Sequence, residues 1–185
     1  PTDQECFARL SVRSPATEAL ELYDTDFTNG FRDQSPYGGP PTPEVEERWD
    51  KLWNVGGISI SEDNLLSLNR TTDKYVHFSE EKGGGYAAVI EVYHHLHCLN
   101  LLRMYTWLDH YETPPIGLDV SISERHVHLD HCIETLRLAL TCRPDVTPLL
   151  VLEDPNEQHI GAKADFYSHH KCVRFDKLSQ WVDDN

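Results

Sequence analysis

The sequence predicts a mainly α-helical domain with short β strands, of the α+β class. Two segments with helical apolar periodicity, at about residues 87–110 and 121–142, predict long helices. Ser121 and Glu124 have the spacing of a capping box at the start of the second one. Because roughly ten residues connect the two segments, we expect antiparallel neighbours that form the helical core.

The chain is expected to contain one domain preceded by an arm. Residues 1–41 predict an irregular N-terminal arm, since prolines and glycines interrupt them repeatedly. Residues 42–185 are long enough for a single domain with its own core. This domain should begin with a helix, because Thr42 is a good N-cap and Pro43 suits the first helical position.

Shorter elements are predicted from local patterns. Ile58–Ile60 predicts a strand, a capped helix with inward leucines should begin at Ser61, and residues 74–78 alternate as strands do. Residues 147–152 predict a buried strand. Residues 173–182 have the periodicity of a final amphipathic helix.

Composition excludes some classes of partner. The formal net charge is -15, which disfavours binding to nucleic acid or to an anionic membrane surface. The sequence has no apolar run close to the ~20 residues that span a bilayer, and no signal peptide is recognised. Asn69-Arg70-Thr71 is a glycosylation sequon, which is relevant only in a secretory compartment.

The pattern His-x-x-His-Cys occurs twice, at residues 94–98 and 128–132, and each copy lies in a predicted long helix. Residues three and four apart share one face of an α-helix, so each helix presents two imidazoles and one sulfur to the same side. Packed face to face, the helices would bring four imidazoles together. These imidazoles belong to His94, His97, His128 and His131, and the sulfurs to Cys98 and Cys132.

The sequence leaves three interpretations of this cluster open. The histidines are buried core residues with satisfied hydrogen bonds, or they form a structural zinc site together with Cys98 and Cys132. The third interpretation is a catalytic copper or iron site, which an imidazole-rich ligand set favours. We favour the third, since a doubled motif in two helical contexts is difficult to obtain by core packing alone.

The five cysteines have an alternative role. Facing helices would place Cys98 and Cys132 within disulfide reach, and Cys142 and Cys172 are a second candidate pair, with Cys6 left over. Such pairs suit an oxidising compartment. We favour disulfides over thiolate ligands.

These residues resemble the UstYa-like family of fungal proteins, whose signature is a pair of His-x-x-His-Cys motifs. Gly84-Gly85-Tyr86 before the first motif, residues 131–137 around the second and the closing His170-Lys171-Cys172 match as well. The resemblance covers about residues 37–182. It implies an enzyme of fungal secondary metabolism that uses copper, or alternatively iron or zinc, together with dioxygen. Its substrate would be a peptide or another small natural product, functionalised at a C–H bond by cyclisation, hydroxylation, desaturation or halogenation.

The resemblance also implies roles for single residues. Mapped onto this sequence, the catalytic metal ligands are His94, His97, His128 and His131, with His170 as a further candidate. Glu91 and Glu124 share the helical faces of the motifs and are expected to accept hydrogen bonds from the imidazoles.

The resemblance further implies the lumen of the secretory pathway and a single-pass membrane anchor that this chain lacks. Association with a second copy or with a related family member stays open. Two other functions also stay open: a redox-neutral cyclase or isomerase that uses histidine acid–base chemistry, and a non-catalytic, metal-stabilised partner subunit.

Overall fold

The computed structural model describes residues 2–71, 74–155 and 161–185. The described residues form helices with three short two-stranded sheets, so the predicted α+β class is confirmed. The helices are α1 (Asp3–Leu10), α2 (Pro43–Trp53), α3 (Glu62–Ser67), α4 (Glu91–Thr106), α5 (Ile122–Cys142) and α6 (Phe175–Asp184). The strands are β1 (Leu22–Asp26), β2 (Ile58–Ile60), β3 (Tyr86–Ala88), β4 (Val151–Glu153), β5 (Ala162–Ala164) and β6 (His169–Val173).

The strands pair in an antiparallel manner as β1–β6, β2–β3 and β4–β5. In the first pair Leu22 lies opposite Val173, so a strand near the N-terminus is completed by one near the C-terminus. In the second pair Ile58 lies opposite Ala88. None of the helices in the described ranges combines the length and apolarity needed to cross a membrane.

The helices α4 and α5 pack against each other as antiparallel neighbours, as the sequence predicts. Their contact encloses a buried core in which Cys98 and Leu101 of α4 meet Leu129 and Cys132 of α5. Leu118, from the connection between the helices, closes this core. Burial of such apolar surface contributes about 25 cal/mol per Å², so the contact between α4 and α5 fixes how the two motifs face each other.

Local signals explain where these helices begin. Ser121 caps α5, since its hydroxyl accepts from the backbone N–H of Glu124 and the Glu124 carboxylate accepts from the backbone N–H of Ser121. Thr42 caps α2 in the predicted manner. In α6, Leu178 and Val182 are buried, which confirms the final amphipathic helix.

A polar network attaches α2 to α4. Arg103 Nη2 donates to Glu46 Oε2 at 2.9 Å, and the Tyr111 hydroxyl donates to Glu46 Oε1 at 2.9 Å. The Arg103 side chain is only 10% exposed. Burial, together with the hydrogen bond to Glu46, raises the pKa of Tyr111 to about 12. The Glu46 carboxylate is therefore the counterion of a buried guanidinium.

The N-terminal part differs from the predicted irregular arm. A capping box between Thr2 and Glu5 starts α1, and β1 is ordered by its pairing with β6. Residues 27–41 contain no helix or strand, as expected. The sequence prediction missed β1 because its partner lies almost 150 residues further along the chain.

Several short elements also differ from the prediction. Residues 74–78 form only an isolated bridge, between His77 and Tyr86, and no strand. The helix expected from about residue 87 begins at Glu91, because residues 86–88 pair with β2 instead. Residues 147–150 are not part of a strand.

Burial was predicted wrongly in two places. The strand β4 is exposed, because its sheet has only two strands and no layer that covers it. Of the three leucines in and just after α3, only Leu65 is buried, whereas Leu66 and Leu68 are 54% and 42% exposed. A helix of six residues turns only one narrow face towards the core.

We expect the substitution Glu46→Ala to lower the free energy of unfolding by about 2 kcal/mol or more, because it leaves Arg103 buried without its counterion. The control is Glu47→Ala on the same helix, which removes only an exposed pair with Lys51 and should leave stability nearly unchanged. Urea unfolding followed by circular dichroism measures both. Equal losses for the two variants would contradict the role of Glu46.

Candidate metal centre

The first imidazole pair joins His94 of α4 to His131 of α5. Their Nε2 atoms are 3.4 Å apart, and the ring centroids are 5.4 Å apart. His94 Nδ1 lies 3.4 Å from the Oε1 atom of Glu91. When Nδ1–H donates to this carboxylate, the Nε2 atom keeps its lone pair and directs it towards His131.

The second pair, His97 and His128, lies one helical turn further along, with ring centroids 6.3 Å apart. His128 Nδ1 is 3.2 Å from the carbonyl oxygen of Gly117, to which it can donate only as Nδ1–H. This contact again leaves Nε2 of the imidazole with a lone pair.

His97 is covered by an aromatic side chain of α2. Its ring meets that of Trp53 edge to face at 4.4 Å, and its Nδ1 atom is buried without a hydrogen-bond partner. Burial lowers the pKa of His97, and the neighbouring His128 and His94 lower it further. His97 is therefore held as a neutral imidazole, the form that binds metals.

A thiol joins the first pair. Cys98 Sγ lies 3.8 Å from His94 Nε2, and the ligand atoms of His94, Cys98 and His131 all lie within 4.8 Å of one another. Burial raises the pKa of Cys132 to about 12, and the adjacent Cys98 contributes to this shift. All five cysteines are free thiols, so neither predicted disulfide is formed in the structure.

Two sequence-predicted residues have other partners. His170 stacks on Phe27 at 3.9 Å, and its ring nitrogens contact Ser168 and Asp145. Within the described part of the chain, it makes no contact with the four motif imidazoles. The carboxylate of Glu124 is engaged by the hydroxyl and backbone N–H of Ser121, which lower the pKa of Glu124. The structure thus shows Oε2 of Glu124 in the helix cap, and the expected hydrogen bond to an imidazole stays a prediction.

Two contacts at the centre escaped sequence reasoning. Neither the contact of Gly117 with His128 nor that of Trp53 with His97 is predicted from the sequence. The proline pair before Gly117 indicates a turn there, but nothing in the sequence indicates that its carbonyl reaches His128.

The residues present suit a transition metal. Leaving the buried Nδ1 atom of His97 without a partner costs on the order of 1–3 kcal/mol, and Nε2 lone pairs are available on His94 and His128 in the tautomers described. Imidazole nitrogens with a nearby sulfur are a donor set that copper, zinc and iron accept. An open depression of about 490 Å³ lies beside His128 and His131, with Ser123, Glu124 and Val127 as its other lining residues.

The fold and the site define a mainly helical protein with a histidine cluster between two antiparallel helices. The family model described as "Mycotoxin biosynthesis protein UstYa" matches residues 1–185, and the chain belongs to this family. The resemblance stated from the motifs is thereby confirmed. No solved structure matches the chain.

Curated relatives support this membership. A UstYa family oxidase, phomYc of Diaporthe leptostromiformis, is 38% identical over 98% of this chain and 72% of its own length. The transacylase cctO of Talaromyces islandicus is 38% identical over 97% of this chain and 62% of its own. The chlorinase cctP2 of the same fungus is 28% identical over 95% of this chain and 53% of its own. The chain thus spans about half to three quarters of these relatives.

We expect Gly117→Ala to lower both stability and metal binding. Gly117 has φ +88°, and an added Cβ would lie 3.2 Å from Leu101 Cδ1 and 3.3 Å from His128 Cε1. The strained backbone costs ~1 kcal/mol, and the crowding displaces His128. Gly83→Ala is the control, since it has φ +89° with nothing within 4 Å of the added atom. Thermal unfolding and metal titration should show a loss of stability in both variants and weaker metal binding only in Gly117→Ala.

The disulfides remain predictions. The contact of His170 Nδ1 with Asp145 Oδ2 at 3.2 Å ties β6, which contains Cys172, to the segment just after Cys142. We therefore expect a Cys142–Cys172 bond in protein made in an oxidising compartment, with Cys98–Cys132 as the next candidate. Mass mapping without reduction measures this, and Cys6→Ser should leave the map unchanged. Detection of five free thiols in that protein would contradict the prediction.

Proposed function

We propose that this chain is the catalytic part of a copper-dependent oxidative tailoring enzyme of fungal secondary metabolism. The observation that supports this most directly is the alignment of two imidazole pairs across α4 and α5, with Nδ1 of His94 and of His128 each held by a neighbouring acceptor. Iron or zinc are alternative occupants of the same donor set.

The metal would be held by His94, His97, His128 and His131. Bound copper supplies one-electron redox chemistry towards dioxygen. The protein itself orients the imidazoles that would bind the metal. Glu91 orients His94, and the Gly117 carbonyl orients His128.

The two sides of the cluster have different access to water. Trp53 covers His97, whereas the His94 side chain is 40% exposed and His131 is exposed. A substrate would therefore approach on the exposed side of the cluster, where His131 lies. The covered side keeps water away from His97 and so preserves its neutral form.

The substrate would be a peptide or another small natural product, with dioxygen as co-substrate. Relatives named as an oxidase, a chlorinase and a hydroxylase support oxidative functionalisation as the general class. These relatives are named for different reactions. This is consistent with one shared set of metal ligands and with different residues around the substrate.

A second candidate is redox-neutral chemistry, in which the histidines act as general acid and base without a redox metal. It is favoured by the name of one relative, a transacylase that is 38% identical to this chain. Activity that survives complete removal of metal would support this candidate over the first.

The cellular setting is also part of the proposal. We propose that the enzyme acts in the lumen of the secretory pathway. We also propose that its full-length form is anchored in the membrane and that it associates with a family member. Asn69 of the sequon is exposed in the turn after α3, so it is accessible for glycosylation.

We expect His97→Ala and His131→Ala each to remove most of the bound copper, because each deletes one imidazole of a different pair. His126→Ala is the control, since His126 is an exposed residue of α5 and lies outside both pairs. Elemental analysis gives the copper content, and electron paramagnetic resonance gives nitrogen coordination. Equal copper content in all four proteins would refute the ligand assignment.

A further inference from the structure

We infer that the depression beside His128 and His131 is a substrate-binding subsite, in which Val127 contacts an apolar group of a neutral or cationic molecule. The inference rests on the proposed function and adds the place and the chemistry of substrate binding to it.

The depression lies along the first turns of α5, and its lining residues lie on one side of that helix. Val127 is its one apolar lining side chain, and it is 71% exposed. Two of the polar lining residues are His128 and His131, one from each imidazole pair. A molecule that rests on Val127 therefore lies directly beside the cluster.

The α2 helix covers another part of the cluster. There the Trp53 ring lies against His97, whose Nδ1 atom is buried. The depression, of about 490 Å³, is open on its outer side, which permits a group to enter while the rest of a larger molecule stays outside.

Charge defines which molecules bind there. Glu124 lines the depression, and its carboxylate is held in place by the hydroxyl and backbone N–H of Ser121. These bonds lower the pKa of Glu124, so the carboxylate is charged at neutral pH. The chain as a whole carries a formal charge of -15. An anionic group is repelled at this position, whereas a neutral or cationic one is accepted.

The first test uses metal-free protein and benzyl alcohol, so that it does not depend on metal binding. Titration should shift the Val127 methyl signals in NMR spectra, with intermolecular Overhauser effects from the aromatic protons. In Val127→Asp we expect binding to weaken about fivefold or more, because an apolar contact is replaced by a charge. Leu138→Asp is the matched control: Leu138 is 51% exposed on the same side of α5, three turns away, and does not line the depression.

The second test concerns charge. Wild-type protein should bind benzylamine at least ~threefold more tightly than benzoate, and Glu124→Gln should reduce this difference. Glutamine at this position preserves the capping box, so the helix stays intact. Equal affinity for the two probes in wild-type protein would overturn the charge assignment.

The third test relates the subsite to the metal. With copper bound, the aromatic protons of benzyl alcohol should relax faster than with zinc bound, and Val127→Asp should remove the difference. If the protein binds no copper, the proposed function is wrong, but the first two tests still decide whether the subsite exists. A chain that binds copper, but whose Val127 signals do not respond to benzyl alcohol, overturns the subsite.

Discussion

The contact between α4 and α5 is the constraint on which the rest of the site depends. Leu101 and Leu129 drive the two helices together, and Cys98 and Cys132 are fully buried with them. The four histidines of the motifs occupy the adjoining helical positions. The apolar contact therefore brings the imidazoles of the two helices opposite each other. The geometry of the metal centre is thus a consequence of ordinary core packing, and its cost is the desolvation of His97.

Packing alone does not orient an imidazole, and the structure supplies this orientation by short-range polar contacts. Glu91 is one helical turn from His94 and so comes with the motif helix itself. Gly117 belongs to the connection and reaches His128 only because the chain there has a left-handed backbone at φ +88°. The hydrogen-bond partner of His94 is therefore part of the same helix. The partner of His128 depends on how the connection between α4 and α5 folds.

The parts of the fold that could be predicted from the sequence are those with local causes. Thr42, Ser121 and Glu124 specify helix starts within four residues, and the doubled motif specifies the pairing of α4 with α5. The sequence could not show that His170 contacts Asp145, or that β1 pairs with β6, because these contacts join segments far apart in the chain. Glu124 shows a further difficulty: its spacing fits both a capping box and a contact with an imidazole, and the structure shows its bonds to Ser121.

The pairing of β1 with β6 has a consequence for the order of events during synthesis. Strand β1 is made before both long helices, but its partner appears only when residues 169–173 leave the ribosome. The helices α4 and α5, by contrast, are close together in the chain and can associate before the last strand exists. The histidine cluster can thus assemble while β1 is still unpaired, and the pairing of β1 with β6 comes after it.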